Sequence, residues 1–342
     1  MTTTLVLFVG ATTIVAGYSL YPFVTARKRW QDATKNEVST LLGIINGIND
    51  NVKQSKPSVI NAPRPLSSSL MEDLPPPVAR HIRKALQLDS PSAPVQPMIQ
   101  SLHMEQSGNF LLNNQWIPFT ATQEFSASNT NPGFVWDATM RLPLPWILPG
   151  SITIHVRDAY VNGRGTMIGT MMGGFVTIVN EKDTPTLNEG ELSRWLGECP
   201  LIPTALIPPS RHREGIPSSS GGCTLEWKKW DVKHDANRAT AILTTENDPS
   251  VNKQQRIQTE IEFRFDEKSG LISSIHAMRP YCPPGSKEVQ ILPWEGHYSN
   301  YQIRQGILVP TYGEVGWWKE DNPSMLELYF KANNTKFEFQ FA

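Results

Sequence analysis

The sequence predicts a mainly β protein: a large curved antiparallel sheet or half-barrel with one or two short covering helices, preceded by an N-terminal membrane helix. Three observations lead there. From about residue 98 onward apolar residues recur every second position, no β-α-β alternation occurs, and residues 4–24 carry no charged side chain. Alternation with period two gives a strand one wet face and one dry face, as antiparallel sheets have. A doubly wound parallel sheet would instead show near-continuous apolar strands between helices.

The N-terminal run TLVLFVGATTIVAGYSLYPFV is long enough to cross the roughly 30 Å hydrocarbon core of a bilayer. Tyr18, Tyr21 and Phe23 crowd its C-terminal end, as an interfacial aromatic belt does, and Arg27-Lys28-Arg29 follow at once. A secretory leader carries its positive charge before the apolar run, and nothing basic precedes this one. The expectation is a retained single-pass anchor with the bulk of the chain on the cytosolic side, and the alternative is a cleaved leader.

After this anchor and basic flank (1–29), Val38, Leu41, Leu42, Ile45 and Ile48 recur at helical spacing and predict an amphipathic helix over 30–50. Residues 51–77 read as a Pro-rich linker, and nine prolines fall between Pro57 and Pro97. The β-rich domain then spans 78–342. Its first element is a short helix marked by Val78, Ile82 and Leu86, with Arg80, Arg83 and Lys84 on a face expected to be solvated or to meet lipid headgroups.

Some ten strands follow. Ile257, Thr259, Ile261, Phe263 and Phe265 alternate with Gln258, Glu260, Glu262 and Arg264, and 267–270 turns that strand into the next. Asn162-Gly163 predicts a tight hairpin, and Gly169, Gly173 and Gly174 predict bends or bulges. Ala332-Asn333-Asn334-Thr335 predicts a further hairpin turn between Leu326–Phe330 and Phe337–Phe341. One helix interrupts the strands. Thr186 with Glu189 reads as its capping box, Leu192, Trp195, Leu196 and Cys199 form its apolar stripe, and Pro200 and Pro203 end it. Such a helix is expected to cover the open face of the sheet.

Composition excludes some functions. With 31 basic and 32 acidic residues the net charge is -1, so there is no global basic field for nucleic acid. Cys199, Cys223 and Cys282 are odd in number and widely spaced, which suits reduced thiols rather than a zinc site or disulfide framework. No metal site and no cofactor are expected, since neither a phosphate-loop motif nor a metalloprotease helix motif occurs.

The candidate chemistry is confined to a few polar groups. Trp136-Asp137 and Arg157-Asp158 place carboxylates inside apolar strands, where an ionised group needs a partner such as Arg141, Arg157, Arg164 or Arg194. Glu295 and His297 stand two apart on one strand, hence on one face, and suit proton transfer. Arg194 and Glu198 read as an i,i+4 surface pair. Asp137, Asp158, Glu295 and His297 are therefore the candidate acid/base residues. Trp136, Trp195, Trp294, Tyr298 and Arg164 are the candidate ligand contacts.

Several runs resemble the DUF6544/DUF6920 family of uncharacterised, mostly bacterial proteins. They are 75–80 (PPPVAR), 134–138 (FVWDA), 157–165 (RDAYVNGRG), 190–196 (GELSRWL), 203–208 (PTALIP) and 294–296 (WEG). The resemblance covers about residues 75–342, in the same order throughout. It implies a shape like the half-barrel of lipoprotein carriers, a curved sheet with a helical lid over a hydrophobic cavity, and it brings no activity. The anchor and the Ser-rich stretch around 218–222 depart from that compact pattern. Three functions remain open: membrane-tethered binding or transfer of an apolar small molecule such as a lipid or isoprenoid, a cyclase, isomerase or hydrolase acting through the carboxylate and His groups, and an assembly factor.

Overall fold

The computed structural model describes residues 21–54, 71–89, 98–143, 151–208, 223–229, 231, 236–245, 256–282, 288–319 and 324–341. The apolar run 4–24, but for its last four positions, lies outside them, as do much of the Pro-rich stretch and the Ser-rich stretch at 218–222. Among the described residues no helix is long and apolar enough to cross a membrane.

Thirteen described strands form one antiparallel sheet. The first wing is β1 (Ile99–Leu112), β2 (Gln115–Ser126), β3 (Gly133–Pro143), β4 (Ser151–Val161), β5 (Arg164–Met171) and β6 (Val176–Lys182). The second is β7 (Cys223–Trp227), β8 (Arg238–Thr245), β9 (Gln258–Phe265), β10 (Ile272–Tyr281), β11 (Gln290–Arg304), β12 (Ile307–Trp317) and β13 (Glu327–Phe341). Each wing is a meander, and the order is β6-β5-β4-β3-β2-β1-β13-β12-β11-β10-β9-β8-β7. The wings therefore join where β1 pairs with β13, and among the described residues β6 and β7 are the outermost strands.

Between β6 and β7 in sequence comes the helix Pro185–Gly197, followed by two 3-10 turns that carry Pro200 and Pro203. It touches β3, β4 and β5 on one wing and β9 and β10 on the other, which requires the sheet to curl around it. Leu192, Trp195, Leu196 and Cys199 are fully buried in the main core. The Trp195 indole donates to the Ser126 carbonyl (2.9 Å) and its ring stacks on Phe125. The helix thus fills the concavity as a central part of the core, more deeply than a cover laid over the sheet.

Two other helices flank the sheet. The first, α1 (Tyr21–Gln54), contains the predicted 30–50 helix and packs Leu41 and Ile45 on Val135 and Ala159 at the convex side. The second, α2 (Pro76–Ala85), buries Val78 and Ile82 completely. Part of its basic face is engaged: Arg80 donates to Asn237 (2.9 Å) and Lys84 to the Ser269 carbonyl. Its His81 accepts from the Ile272 amide (3.3 Å), and burial pushes its pKa down to about 3. The helix of the concavity is α3.

Three local expectations are corrected. The cap of α3 is Thr184, whose hydroxyl accepts from the Leu187 amide (3.3 Å); Pro185 then occupies the first turn, so Thr186 lies inside the helix. Residues 332–335 are no hairpin turn, because β13 runs unbroken from Glu327 to Phe341. Glu105 pairs with Lys336 but Gln106 with Asn334, which leaves Thr335 as a bulge. The Asn334 side chain is buried there, accepting from Gln106 (2.8 Å) and donating to the Pro310 carbonyl (3.3 Å). Finally, Arg194 and Glu198 are no surface pair; both turn into the protein. The Asn162-Gly163 hairpin and the bulge at Gly169 are present as expected, with φ of 54° and 77° at the hairpin.

Candidate functional site

Polar groups gather along α3 inside the concavity. Trp136 and Asp158 face each other across β3 and β4, and both point inward. Asp158 accepts from Arg194 (2.5 Å), whose Nε also donates to Glu198 (2.9 Å); Glu198 in turn accepts from Gln123 (2.6 Å). The Arg194 guanidinium lies over the rings of Phe134 (4.5 Å) and Trp136 (5.3 Å). Stacking of this kind suits arginine, which is less strongly hydrated than an ammonium.

Glu191, one turn before Arg194, is 4% exposed and hydrogen-bonded to Asp158. Burial pushes its carboxyl well above the ordinary range, and the Asp158 charge adds to that. Burial raises Asp158 too, against the pull of Arg194. Each of two neighbouring buried carboxyls disfavours the ionised form of the other. Of the two, Glu191 is the one pushed well above the ordinary carboxyl range.

Around this charged floor stand aromatic rings. The β12–β13 register shifts at Val315/Gly316, and Tyr329 and Phe330, although adjacent in sequence, both turn toward the concavity. Phe330 stacks on Phe119 (5.2 Å between centroids), while Tyr329 meets Phe110 edge-on and stacks on Trp317 (6.3 Å). Trp317 continues to Tyr281 (5.0 Å). The Tyr329 hydroxyl accepts from the Trp294 indole (3.1 Å), and Trp294 carries the Arg279 guanidinium on its face (4.5 Å). Arg279 donates to the Gly190 carbonyl of α3 (2.6 Å), while its Nε is buried without a partner. Phe110, Trp317, Tyr329 and Phe330 stay half-buried. They form an aromatic mouth at the end of the sheet where β1 and β12 finish.

The convex face is different. Asp137 accepts from the Trp30 indole (3.2 Å) and the Thr34 hydroxyl (2.7 Å) of α1. Arg157, opposite it on β4, donates to Thr34 (3.0 Å) and pairs with Glu37 (3.0 Å). Beside them a groove of about 400 Å³ lies between α1 and the strands, lined by Arg27, Trp30, Glu105, Asp137 and His155 among others. Burial holds the His155 pKa below its usual value. On the other wing Glu295 accepts from His297 (2.9 Å) and Trp318 (3.0 Å), with Arg264 at 3.8 Å. Burial alone would raise this carboxyl, but those partners hold it below the usual range.

The four candidate acid/base residues are thus not brought together. Asp158 lies in the concavity, Asp137 under α1, and Glu295 with His297 on the outside of β11. Of the candidate ligand contacts, Trp136, Trp294 and Tyr298 belong to the concavity. Trp136 donates to Gln106 (2.8 Å) and Tyr298 to the Gly197 carbonyl (2.8 Å). Trp195 is wholly buried behind them, and Arg164 sits at the surface, 3.6 Å from Asp183. Glu191, Arg279, Trp317, Tyr329 and Phe330 escaped sequence reasoning. A signal for the first existed: 191, 194 and 198 fall one residue before the apolar stripe positions 192, 195 and 199, so they flank the buried face.

The molecule is thus an antiparallel half-barrel whose concavity holds a helix, a carboxyl pair and an aromatic mouth. It belongs to the family of unknown function DUF6544, whose model matches residues 64–328. No curated protein matches it. Among solved structures it is similar to a LolA superfamily protein from Nitrosomonas europaea (TM-score 0.32, 11% identity, 76% of this chain and 92% of that one). It is also similar to a putative outer membrane lipoprotein-sorting protein domain from Vibrio parahaemolyticus (0.32, 8%, 76% and 92%). A DUF1329 family protein from Desulfovibrio piger follows (0.30, 9%, 77% and 93%). These are distant likenesses.

Proposed function

We propose that the chain is a membrane-tethered protein that binds or hands over an apolar small molecule, a lipid or isoprenoid-like compound, at the aromatic mouth. The observation that carries this reading is the connected row of half-buried rings, Phe330, Phe110, Tyr329 and Trp317, on an inward-facing surface. Apolar rings left partly wet in a concave site gain free energy when a ligand covers them, at about 25 cal/mol per Å². The Arg279 guanidinium at the edge of that row supplies a polar end for orientation. The tether is the apolar run 4–24, followed by its basic flank. The test is solvent extraction of the full chain purified from membranes, followed by untargeted mass spectrometry. A stoichiometric apolar compound is expected, and Trp317→Ala should lose it with little change in melting temperature. Protein that carries none, and is released whole by alkaline carbonate, would refute both parts.

A second reading is favoured by one observation, the buried carboxyl pair of Asp158 and Glu191 beside Arg194, in which burial and the Asp158 charge push Glu191 well above the ordinary range. A carboxyl whose pKa is raised by burial is suited to act as a general acid. A compound that is converted by the wild type, and bound but not converted by Glu191→Gln, would establish this role.

A further inference from the structure

Large apolar side chains left in water are distributed unevenly over this molecule. Among the described residues ten are prominently exposed, and nine of them lie within four residues of one rim of the sheet; the tenth, Ile303, is at the opposite rim. Register identifies the rim without ambiguity. Leu112 pairs with Gln115, Phe110 with Phe330, Trp317 with both Glu327 and Trp294, Tyr281 with Gln290, and Met171 with Val176. The ends of these strands therefore form one continuous edge. It carries Trp116, Phe175 and Ile178 on the first wing, and Met278, Ile291 and Met325 on the second.

Two further features sit at that edge. The aromatic mouth opens there, since Phe110, Trp317 and Tyr329 are at the same strand ends. Helix α1 also starts there, for a Cβ placed on Gly174, between β5 and β6, would lie 3.3 Å from the Ala26 side chain. From Ala26 the helix runs away toward the opposite rim, where Leu41 lies against Gly133. The end of α1 that follows the uncharged run 4–24 in sequence therefore lies at the apolar rim, and the exposed cations Arg27, Lys28 and Arg29 stand there.

We propose that this rim docks on the surface of an anionic bilayer, so that the mouth of the half-barrel opens against lipid. Scattered apolar residues at a protein surface are ordinary, but a one-sided set with aromatic members and a basic border matches what the headgroup boundary accepts. Both wings make the contact, because the exposed residues stand at strand ends and in the turns beside them from β2 to β13. The placement rests on the exposed side chains and on where α1 begins; it does not rest on the ligand reading, so either can fail alone.

The test uses the full chain reconstituted in vesicles of phosphatidylcholine and phosphatidylglycerol in equal parts. With Cys282→Ser as background, a fluorophore is attached in turn at Ile178→Cys, Ile291→Cys and Ile303→Cys. Lipids bearing nitroxide on their acyl chains should quench the first two labels several-fold more than the third. Equal quenching at all three, or none at Ile178 and Ile291, overturns the proposal. Quenching at Ile178 alone also overturns it, because only the neighbourhood of α1 would then touch lipid.

Discussion

Asp137 and Asp158 stand on neighbouring strands, each next in sequence to the residue that pairs directly with the other: Trp136 with Asp158, and Arg157 with Asp137. The two acids sit in similar apolar sequence and meet opposite fates. The period of two sends Asp158 to the concave face and Asp137 to the convex one. Asp137 then finds neutral donors on α1, a tryptophan and a threonine, while Asp158 finds Arg194 and a second carboxyl from α3. The comparison teaches that the inner face of this sheet holds charge in a closed network, whereas the outer face uses it to pin a helix.

The largest effect that would break this contrast is at Arg194. Arg194→Met keeps much of the side-chain length but leaves Asp158 and Glu198 buried without their cation. A loss of about 3–5 kcal/mol is expected in denaturant unfolding, as for other broken buried pairs. A change below 1 kcal/mol would place the network in water after all.

Glu191 should act in the opposite direction. Its folded pKa lies above the ordinary 4.5, so its contribution is fully present below that pH and is lost as pH rises through the folded value. Glu191→Gln fixes the neutral form and still donates to Asp158. It should raise the melting temperature at pH 7 by less than Arg194→Met lowers it, and the gain should vanish near pH 4. A melting temperature unchanged at both values would mean that no proton is held there.

The smallest effect belongs to the convex face. Asp137→Asn still accepts from Thr34 and Trp30 and should cost about 1 kcal/mol or less. Its signature is local: amide exchange in α1 around 30–37 should quicken while the strands stay protected. Global destabilisation equal to that at Arg194 would erase the distinction between the two faces.

The alternation itself was legible. Residues 257–265 could be read as a half-buried strand because side chains carry the pattern unaided. What escaped the reading depends on partners far along the chain. Asn333-Asn334 has the composition of a turn, but a bulge inside a strand uses the same residues, and only the pairing with β1 tells them apart. Arg194 and Glu198 read as a surface pair because i,i+4 spacing does not reveal which way the pair faces; Asp158, on β4, decides that. Tyr329 and Phe330 look like opposite faces of a strand until the register shift against β12 turns both inward. The candidate site was therefore only partly visible: the sequence offered Trp136, Asp158, Trp294 and Tyr298 as candidates and Arg194 as a possible partner, but not Glu191, Arg279 or the rings of Trp317, Tyr329 and Phe330.

The seam between the wings has a consequence for how the protein is made. Gln106 bonds to Asn334, 228 positions later, and β1 cannot gain its second neighbour until β13 has left the ribosome. Until then the first meander exposes an unpaired edge at β1 and the second meander exposes one at β12, each next to the apolar residues that will line the concavity. Contacts of such sequence separation slow folding, and open strand edges recruit other chains. The nascent protein is thus exposed to misassociation through almost its entire synthesis. A chain cut just before Glu327 should accumulate as aggregate or be degraded, even though it retains every residue of the buried carboxyl network.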